Sequence, residues 1–503
     1  MAAPARNHRS NNFESEKIMS TRHPHPSSHQ PDTGNSSGHG WRCVLGLFAL
    51  AWAVGAQAEV TVGPHGAFST IQDGINAAIG NGGDEVRVEL KCLTFCPYVE
   101  NVDFTTFTTI NLSGGWAADF QSQISTLASP IVGTGGDAPI MRVSAAGNAI
   151  VSISRFALLG PGSGGTPGFA TRGLIAGATD NAVMILSDNT IRDNELQISS
   201  SSTVAAGAGV AVYAGNAALV DVVGNTIQSN QIIGTDSRGV FGGGVYLLTD
   251  GAGHIDFILN HLVANIASNA NGGGCHGGGL EAESHDQSSM QLRGNLYEGN
   301  EQLFCTNGAT GDAVDIEATN TMAGTGIELY EEIWSGNSVP NDPGVYQVFI
   351  GAHNAAQIRG ANGLVTNGTW GGVFAGSDAS ATISLSNYTV TAHPTIGVTA
   401  SGSGTQIWNT LMWNNGADED PRNGATFANS LGGIDPLFVD AANGNYHLSP
   451  GSPAIDTASN TPTGGLRAFD LDGSPRPFNG TADIGAYEYQ GDPNDLIFRN
   501  GFD

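Results

Sequence analysis

The stretch SDNTIRDN at residues 187–194 is the first of five segments that align with one another without gaps. The others are VGNTIQSN (223–230), ILNHLVAN (258–265), RGNLYEGN (293–300) and YEEIWSGN (330–337). Their final asparagines recur every 35–37 residues and are Asn194, Asn230, Asn265, Asn300 and Asn337. A fixed period of this length is typical of repeat proteins, in which every repeat packs only against its neighbours.

A second series of segments has a similar period: GVAVY (209–213), GVYLL (244–248), GLEAE (279–283) and AVDIE (313–317). Each period therefore holds two short strand-like segments joined by turns rich in glycine and asparagine, with no helical pattern between them. Such a repeat predicts one coil of a parallel β-solenoid, because a single coil cannot bury its apolar side alone. We assign the recurring asparagines a structural role, since asparagine adopts left-handed turn conformations and its amide can bond the turn of the next coil.

The coils become shorter towards the C-terminus. IRGANG (358–363), ISLSNY (383–388) and IWNTLM (407–412) place Asn362, Asn387 and Asn409 at steps of 25 and 22 residues. We expect cover at both open ends of the solenoid, because an open end exposes unpaired strands. At the N-terminal end, STIQDGINAAI (69–79) predicts an amphipathic helix with Ser69 and Gln72 as a capping box. From about residue 431 proline becomes frequent and the coil pattern stops, which predicts a small C-terminal module.

Composition agrees with the solenoid and excludes other classes of protein. The chain has 72 glycines among 503 residues, and glycine is a poor helix former, which argues against a helical bundle. It has 18 Lys and Arg against 46 Asp and Glu, a formal net charge of −28. Because a nucleic-acid-binding protein needs a basic surface, we expect no nucleic-acid partner.

The N-terminal region has the layout of a secretory signal. Residues 43–56 form an uncharged apolar run, which is too short for an ordinary membrane span of about 20 residues. Arg42 precedes this run and Ala56-Gln57-Ala58 follows it, which predicts cleavage after Ala58. We therefore expect an exported protein without a membrane span in its mature chain.

Export affects the interpretation of the cysteines. After removal of the signal the remaining ones are Cys92, Cys96, Cys275 and Cys305. An even number of cysteines in an oxidising compartment favours disulfides. We expect a local bridge between Cys92 and Cys96 and a second between Cys275 and Cys305, which are nearly one coil apart and would join neighbouring coils. A zinc site made of cysteines is not expected, because no second ligand pair has zinc spacing.

Segments at both ends of the solenoid carry a resemblance to a known family. AFSTIQDGINAAIGNGGDEVRVEL (67–90) resembles the first segment of right-handed parallel β-helix proteins of the pectate-lyase-like superfamily. GGIDPLFVDAANGNYHLSPGSPAID (432–456) and DLDGSPRPFNGTADIGAYEY (470–489) resemble the C-terminal module of bacterial secreted β-helix proteins called choice-of-anchor Q proteins. The final NDLIFRNGFD resembles a short tail of exported proteins from some Gram-negative bacteria. The resemblance implies a β-helix at the outer surface of such a bacterium, or secreted from it.

Enzymes on this scaffold cleave acidic polysaccharides, and the resemblance tells us which residues they need. Lyases of this kind use acidic calcium ligands and a basic residue, but Lys91 is the only lysine after the signal, and Arg238, Arg293 and Arg359 occur singly. The Asn-Thr-Asp, Asp-Asp, Gly-His-Gly and Arg-Ile-Lys motifs of polygalacturonase-type hydrolases do not occur after residue 58. A strongly acidic protein would also repel polygalacturonate.

One group of carboxylates nevertheless stands out in the second series. Side chains alternate along a strand, so the residues next to Val245, Leu280 and Val314 should point outward. Two outer columns result: Tyr246, Glu281 and Asp315 in the first, and Leu248, Glu283 and Glu317 in the second, with His285 beyond them. Neighbouring coils are about 4.8 Å apart, so Glu281 would face Asp315 and Glu283 would face Glu317. Opposed like charges are destabilising, so a compensating interaction is expected.

Three interpretations of these carboxylates remain open. Solvent can screen them on an exposed face. A calcium ion can bind clustered carboxylate oxygens, and the candidate ligands are Glu281, Glu283, Asp315 and Glu317. A retaining glycosidase can use two carboxylates about 5 Å apart, and the candidate catalytic groups are Glu281, Glu283, His285, Asp315 and Glu317.

The sequence thus predicts an all-β protein, a right-handed parallel β-helix with an N-terminal capping helix and a small C-terminal module. The expected parts are a signal peptide with a polar leader (1–58), an N-terminal cap (59–84), the β-helix (85–430), a choice-of-anchor Q-like module (431–490) and a tail (491–503). We expect a monomeric structural or binding protein, secreted or at the cell surface, with a polysaccharide or a cell-surface glycan as partner and calcium as the one candidate cofactor. The alternative is a polysaccharide lyase or glycoside hydrolase on the same scaffold.

Overall fold

The computed structural model describes residues 59–491 apart from ten internal segments: 125–126, 136–137, 161–171, 199–205, 236–238, 271–272, 306–310, 312, 341–344 and 379. The predicted signal and leader (1–58), Arg238 and the tail from residue 492 lie outside the described residues. All statements below concern the described part of the chain.

The chain winds into a right-handed parallel β-helix whose coils contribute to three long sheets. Sheet 1 has 13 strands: Glu59–Val62, Glu85–Glu89, Ile110–Trp116, Ile150–Ser154, Val183–Ser187, Leu219–Val223, His254–Ile258, Ser289–Arg293, Gly326–Tyr330, Gln357–Ala361, Thr382–Ser386, Thr405–Trp408 and Thr426–Ala428. Sheet 2 has 11 strands: Val102–Thr106, Met141–Ala145, Leu174–Ala178, Val210–Ala214, Val245–Thr249, Leu280–Asp286, Val314–Asn320, Tyr346–Ala352, Gly371–Ser377, Ile396–Ser401 and Ala417–Arg422. Sheet 3 has 12 strands: Tyr98–Val99, Ser129–Val132, Phe156–Leu159, Thr190–Arg192, Thr226–Gln228, His261–Val263, Leu296–Glu298, Ile333–Ser335, Leu364–Thr366, Thr389–Thr391, Leu411–Trp413 and Leu431–Gly432.

The register of sheet 2 is the one that the sequence predicts. Val210 pairs with Val245, Val245 with Leu280, and Leu280 with Val314. All four side chains are buried in a core that runs through the inside of the coils. Parallel strands align because each coil repeats the same apolar positions, so the predicted fold class is confirmed.

The three long sheets give a coil one strand more than the two that the sequence predicts. The additional strands belong to sheet 1 and include Leu219–Val223 and His254–Ile258. Buried and half-buried side chains alternate along these strands. Ile255 and Phe257 are buried, while Asp256 between them is half-buried. Their period is the same as that of the two aligned series, so the sequence carries a signal for these strands as well.

The final asparagines of the five aligned segments form a continuous hydrogen-bonded row inside the turns. The amide nitrogen Nδ2 of Asn194 donates to Asn230 Oδ1 at 2.8 Å, and the same bond recurs from Asn230 to Asn265, from Asn265 to Asn300 and from Asn300 to Asn337. All five are buried. The row satisfies backbone groups that the turns would otherwise bury unpaired, as when Asn265 Nδ2 donates to the carbonyl oxygen of Ile227 at 2.9 Å.

The middle coils carry an additional structure, which we call the lobe. It consists of a four-stranded sheet (Glu195–Ile198, Gln231–Gly234, Ile266–Asn269 and Glu301–Leu303) and a two-stranded sheet (Val240–Phe241 and Cys275–His276). Its buried side chains form a second core that contains both Cys275 and Cys305. The disulfide Cys275–Cys305 lies in this core, and Cys92–Cys96 closes a local loop elsewhere, so both predicted bridges are present.

The N-terminal helix covers the first coils, with a different cap from the one expected. The helix spans Ile71–Gly80 and buries Ile71, Ile75 and Ala78. Its N-cap is Thr70, whose hydroxyl accepts from the backbone nitrogen of Asp73, so the predicted capping box of Ser69 and Gln72 is wrong. The strand Glu59–Val62 precedes the helix and pairs with Glu85–Glu89, so the β-helix begins inside the segment expected to be a cap.

The C-terminal segment contains a hairpin of Phe438–Asp440 and Asn445–Leu448, with a 3-10 turn at Ala441–Asn443. It packs against the flank of the last coils. The asparagines of the short coils hold it there, because the Nδ2 atoms of Asn362, Asn387 and Asn409 donate to the carbonyl oxygens of Phe469, Asp483 and Ser459 at 2.7, 3.0 and 2.9 Å. The last strand of sheet 2, Ala417–Arg422, has no buried residue, so the expected cover over this end is not seen there.

Candidate carboxylate–histidine site

The outer face of sheet 2 carries the predicted columns of side chains. The register pairs Tyr246 with Glu281 and Glu281 with Asp315, and it pairs Glu283 with Glu317 in the neighbouring column. The first column continues into aromatic residues, since Asp315 pairs with Phe349 and Phe349 with Phe374. Acidic and aromatic side chains therefore follow one another along a single row.

The first pair of carboxylates is buried, contrary to the exposed face that the sequence suggests. Glu281 is 2% exposed and Asp315 is 0% exposed. The lobe strand Cys275–His276 lies just before the sheet 2 strand Leu280–Asp286, and its histidine reaches Asp315 on the next coil. Screening by solvent is therefore the wrong interpretation for this pair, although Glu283 and Glu317 remain half-buried.

His276 completes a three-residue cluster. Its Nδ1 atom lies 3.1 Å from Asp315 Oδ2, and one ligand atom each from His276, Glu281 and Asp315 lie within 4.8 Å of one another. His276 is not among the site residues predicted from sequence, because it shares no strand column with the carboxylates. Its position directly after Cys275, whose bridge was predicted, is the signal that could have found it.

Several contacts fix the imidazole of His276. Its strand pairs with Val240–Phe241, and the rings of Phe241 and His276 stack with centroids 4.8 Å apart. The disulfide to Cys305 anchors the preceding residue in the lobe core. The side chain keeps 16% exposure, so a path from solvent to the cluster remains.

The second column has its own histidine. His285 Nε2 lies 3.3 Å from Glu283 Oε2. Burial lowers the pKa of His285, but the hydrogen bond and the charge of Glu283 outweigh it and raise the pKa above its ordinary value. Burial raises the pKa of Tyr246 well above its ordinary value, and Glu283 and Glu281 raise it further. Tyr246 is therefore a neutral hydroxyl beside these carboxylates.

The aromatic residues of the first column, Phe349 and Phe374, form together with Tyr346 what we call the aromatic platform. The rings of Phe349 and Phe374 stack with centroids 4.9 Å apart and an angle of 8° between their planes. Tyr346 lies against Phe374 at 5.5 Å. All three are half-buried, so their outer faces are available for contact.

Two glycines allow the platform rings to lie close to the sheet. A Cβ atom at Gly376 would come within 2.8 Å of Phe374 Cε1, and a Cβ atom at Gly351 would come within 3.3 Å of both Phe349 Cε1 and His353 Nε2. Glu317 borders the same glycine at 3.7 Å from that position. The Phe349 ring, the His353 imidazole and the Glu317 side chain therefore lie around the backbone of Gly351.

The predicted calcium set is only partly assembled. Glu281 and Asp315 come together with a histidine, whereas Glu283 lies with His285 in the next column. Calcium prefers six to eight oxygen ligands, while imidazole suits borderline divalent metals such as zinc. The donor set around Asp315 therefore fits calcium poorly and a borderline metal better.

Other positions considered from sequence do not join this site. Arg293 forms an ion pair with Glu331 at 2.6 Å on sheet 1. A shallow groove of about 600 Å³ runs along the turns that follow sheet 2 and is lined by Asp180, Asn216 and Asp286, none of which belongs to the two columns. In the C-terminal segment Asp470 Oδ1 accepts from the backbone nitrogens of Asp472 and Ser474, which is the bonding of a structural turn.

Comparison with known proteins adds no assignment to this geometry. No protein-family model matches the chain, and no curated protein matches it. Within the residues that the structure describes, no helix is both long enough and apolar enough to cross a membrane.

Proposed function

We propose that this protein is a secreted or surface-located β-helix protein of a Gram-negative bacterium that binds a polysaccharide along the outer face of sheet 2. The proposal places it with the pectate-lyase-like, choice-of-anchor Q proteins that its end segments resemble. The aromatic platform of Phe349, Phe374 and Tyr346 is the observation that carries the proposal.

The platform has the chemistry that a sugar ring needs. Sugar rings present flat C–H surfaces and a rim of hydroxyl groups, and a large aromatic face offers apolar contact area of matching shape. Ligand sites combine such apolar surface with a few polar groups that fix orientation. Glu317 and His353, which border Gly351 beside Phe349, are suitable partners for hydroxyl groups.

The charge of the protein indicates which polysaccharides suit this face. The chain has a formal net charge of −28, and four of its carboxylates lie in the columns beside the platform. A polyanion such as polygalacturonate would be repelled unless cations bridged the two. A neutral glycan is therefore the favoured partner.

A glycoside hydrolase is the second candidate function, and one observation favours it. Glu283 and Glu317 occupy paired positions on adjacent coils, next to the column that carries the platform. Adjacent strands are about 4.8 Å apart, close to the separation of about 5–5.5 Å that retaining glycosidases use. His285 beside Glu283 could hold or move a proton there.

Binding can be tested with the mature protein against cellulose, xylan, mannan, laminarin and polygalacturonate. We expect a neutral glycan to bind, and we expect Phe349→Ala combined with Phe374→Ala to weaken binding about tenfold, which corresponds to about 1.4 kcal/mol. Phe107→Ala is the matched control, because Phe107 is 71% exposed and lies outside the platform. Equal affinities of wild type and the double variant for every glycan would contradict the proposal.

The same samples separate binding from hydrolysis. Release of reducing ends by the wild type, lost in Glu283→Gln and in Glu317→Gln, would identify the hydrolase. Binding without new reducing ends supports the binding protein, and absorbance at 235 nm would reveal a lyase instead.

A further inference from the structure

We infer that His276, Glu281 and Asp315 form a binding site for one borderline divalent transition-metal ion, with zinc as the reference case. This inference is independent of glycan binding. It differs from the calcium site expected from sequence, because Glu283 and Glu317 are not among its ligands and the lobe supplies a histidine.

The distances between the candidate ligand atoms fit a single ion. Ligands at about 2.1 Å from a tetrahedral zinc ion are about 3.4 Å from one another. His276 Nδ1 and Asp315 Oδ2 are 3.1 Å apart, and the three ligand atoms together lie within 4.8 Å.

The charges and burial of the ligands favour a divalent ion. Two carboxylates carry the two negative charges that balance one divalent cation, and burial disfavours a set of charges least when the set is neutral overall. Glu281 and Asp315 are both almost fully buried, while His276 keeps the exposure that an ion needs for access. A site with three protein ligands also leaves a fourth position for water or another ligand.

A buried hydroxyl next to the cluster is the second observation. Tyr246 is 5% exposed, and its hydroxyl makes no hydrogen bond of good geometry, although Glu283 lies near enough to raise its pKa. Tyr246 pairs with Glu281 in the register of sheet 2. Outer hydrogen bonds to metal-bound carboxylates or water orient such ligands, and this buried hydroxyl belongs to the register neighbour of the ligand Glu281.

The ligands also sit on rigid elements. Glu281 and Asp315 lie on adjacent central strands, and His276 is held by the stacked ring of Phe241 and by the disulfide of its neighbour. Preorganised ligands raise metal affinity, because little freedom is lost on binding. The lobe thus gives the site the one ligand that sheet 2 does not carry.

The site can be tested with the full exported protein, without an affinity tag and with its disulfides intact. The protein is treated with EDTA, dialysed against Zn²⁺, Mn²⁺ or Ca²⁺, and analysed for bound metal and for its melting temperature. We expect about one zinc ion per chain, a higher melting temperature with zinc, and no displacement of zinc by millimolar calcium.

Variants separate this site from surface histidines. His276→Gln and Asp315→Asn should each weaken zinc binding at least tenfold. His261→Gln is the matched control, because His261 Nε2 also faces a carboxylate, Glu298 Oε2 at 3.3 Å, but on the exposed surface. It should bind zinc like the wild type. Circular dichroism establishes that each variant is folded, and Tyr246→Phe provides a milder change that should weaken binding by less than the loss of a ligand.

Three outcomes would overturn the inference. The first is the absence of bound zinc in wild type, and the second is the same zinc content in His276→Gln as in wild type. The third is stronger binding of calcium than of zinc. None of these outcomes bears on glycan binding, so the two proposals can fail separately.

Discussion

A second row of buried asparagines, Asn189, Asn225, Asn260 and Asn295, runs beside the first and ends at Glu332. Asn295 donates to Glu332 Oε1 from its backbone nitrogen at 3.1 Å and from Nδ2 at 2.9 Å, as each earlier asparagine of this row donates to the next. Glu332 is 1% exposed. Burial raises its pKa to about 8, although the hydrogen bonds from Asn295 oppose this rise. The carboxyl group is therefore largely protonated in the folded protein at neutral pH.

This raised pKa predicts a dependence of stability on pH. Below the ordinary pKa of glutamate the group is protonated in both the folded and the unfolded chain. Between that value and about 8 only the folded chain keeps the proton, so the free energy of unfolding falls as the pH rises, and it levels off above about 8. The accumulated loss by pH 7 is about 3 kcal/mol, because one pH unit corresponds to about 1.4 kcal/mol.

Glu332→Gln removes this titration while retaining an acceptor oxygen for Asn295. We expect the variant to be about equal in stability to wild type near pH 4 and more stable by a few kcal/mol near pH 8, as measured by urea unfolding. Glu298→Gln is the control, since Glu298 is an exposed carboxylate. Parallel stability curves for wild type and Glu332→Gln across this pH range would contradict the assignment.

At the scale of single residues, the sequence predicts which residues pair between neighbouring coils. It does not predict which other side chains contact those pairs. The pairing of Glu281 with Asp315 follows from the repeat, because the coil period fixes which residues are neighbours. Their burial does not follow from it, because the lobe strand that reaches them is not part of the quoted series. His276 contacts Asp315 across 39 residues, and no short motif marks such a contact.

The asparagine row behaves as one element. Asn265 lies in its middle, where its Oδ1 accepts from the backbone nitrogen and Nδ2 of Asn230, and its Nδ2 donates to Ile227 and Asn300. Asn194 lies at the first position and makes only the donor half of these bonds from its side chain. A central member therefore satisfies more buried groups than the terminal one.

Alanine substitutions test this difference. We expect Asn265→Ala to destabilise the protein by about 2–4 kcal/mol, because it leaves the buried backbone nitrogen and amide of Asn230 without their acceptor. Asn194→Ala should cost about 1 kcal/mol, because the acceptor Oδ1 of Asn230 keeps the backbone nitrogen of Asn194. The measurement is the denaturant midpoint of each variant, and equal midpoints would show that the row is not cooperative.

The strands that the sequence predicts are those of sheets 2 and 3. The strands of sheets 2 and 3 lie within the two aligned series, whereas each sheet 1 strand contributes only its last residue to an aligned segment, as Ser187 and Val223 do. The short coils show a related limit. Asn362, Asn387 and Asn409 were recognised as turn residues, but their amides bond the C-terminal segment, a partner that periodicity alone cannot indicate.

For the molecule as a whole, the last coil raises the problem of an uncovered sheet end. The strand Ala417–Arg422 has the sequence ADEDPR, and two of its residues occupy inward columns, since Glu419 pairs with Val398 and Pro421 with Ala400. An inward charge and a proline discourage the addition of another strand. The inward charge and the proline of this strand therefore protect the last edge of sheet 2, where we expected a covering segment.

Restoring an apolar inward column should remove this protection. We expect Glu419→Val combined with Pro421→Val to associate end to end with a second copy, so that light scattering after gel filtration reports dimers or larger species. Asp420→Val combined with Arg422→Val changes the outward positions of the same strand and should remain like the wild type. A monomeric Glu419→Val/Pro421→Val protein that is folded would show that other features protect this end.

The disulfide between Cys275 and Cys305 has a mechanical consequence when the chain is under tension. It closes a segment of 30 residues, whose fully extended length is about 100 Å. When tension pulls on the two ends of the chain, the coils can unwind one after another, but the force bypasses this segment through the covalent bridge. The oxidised protein should therefore extend about 100 Å less than the reduced one, and the lobe that holds His276 should resist being drawn out of the coil to which it belongs.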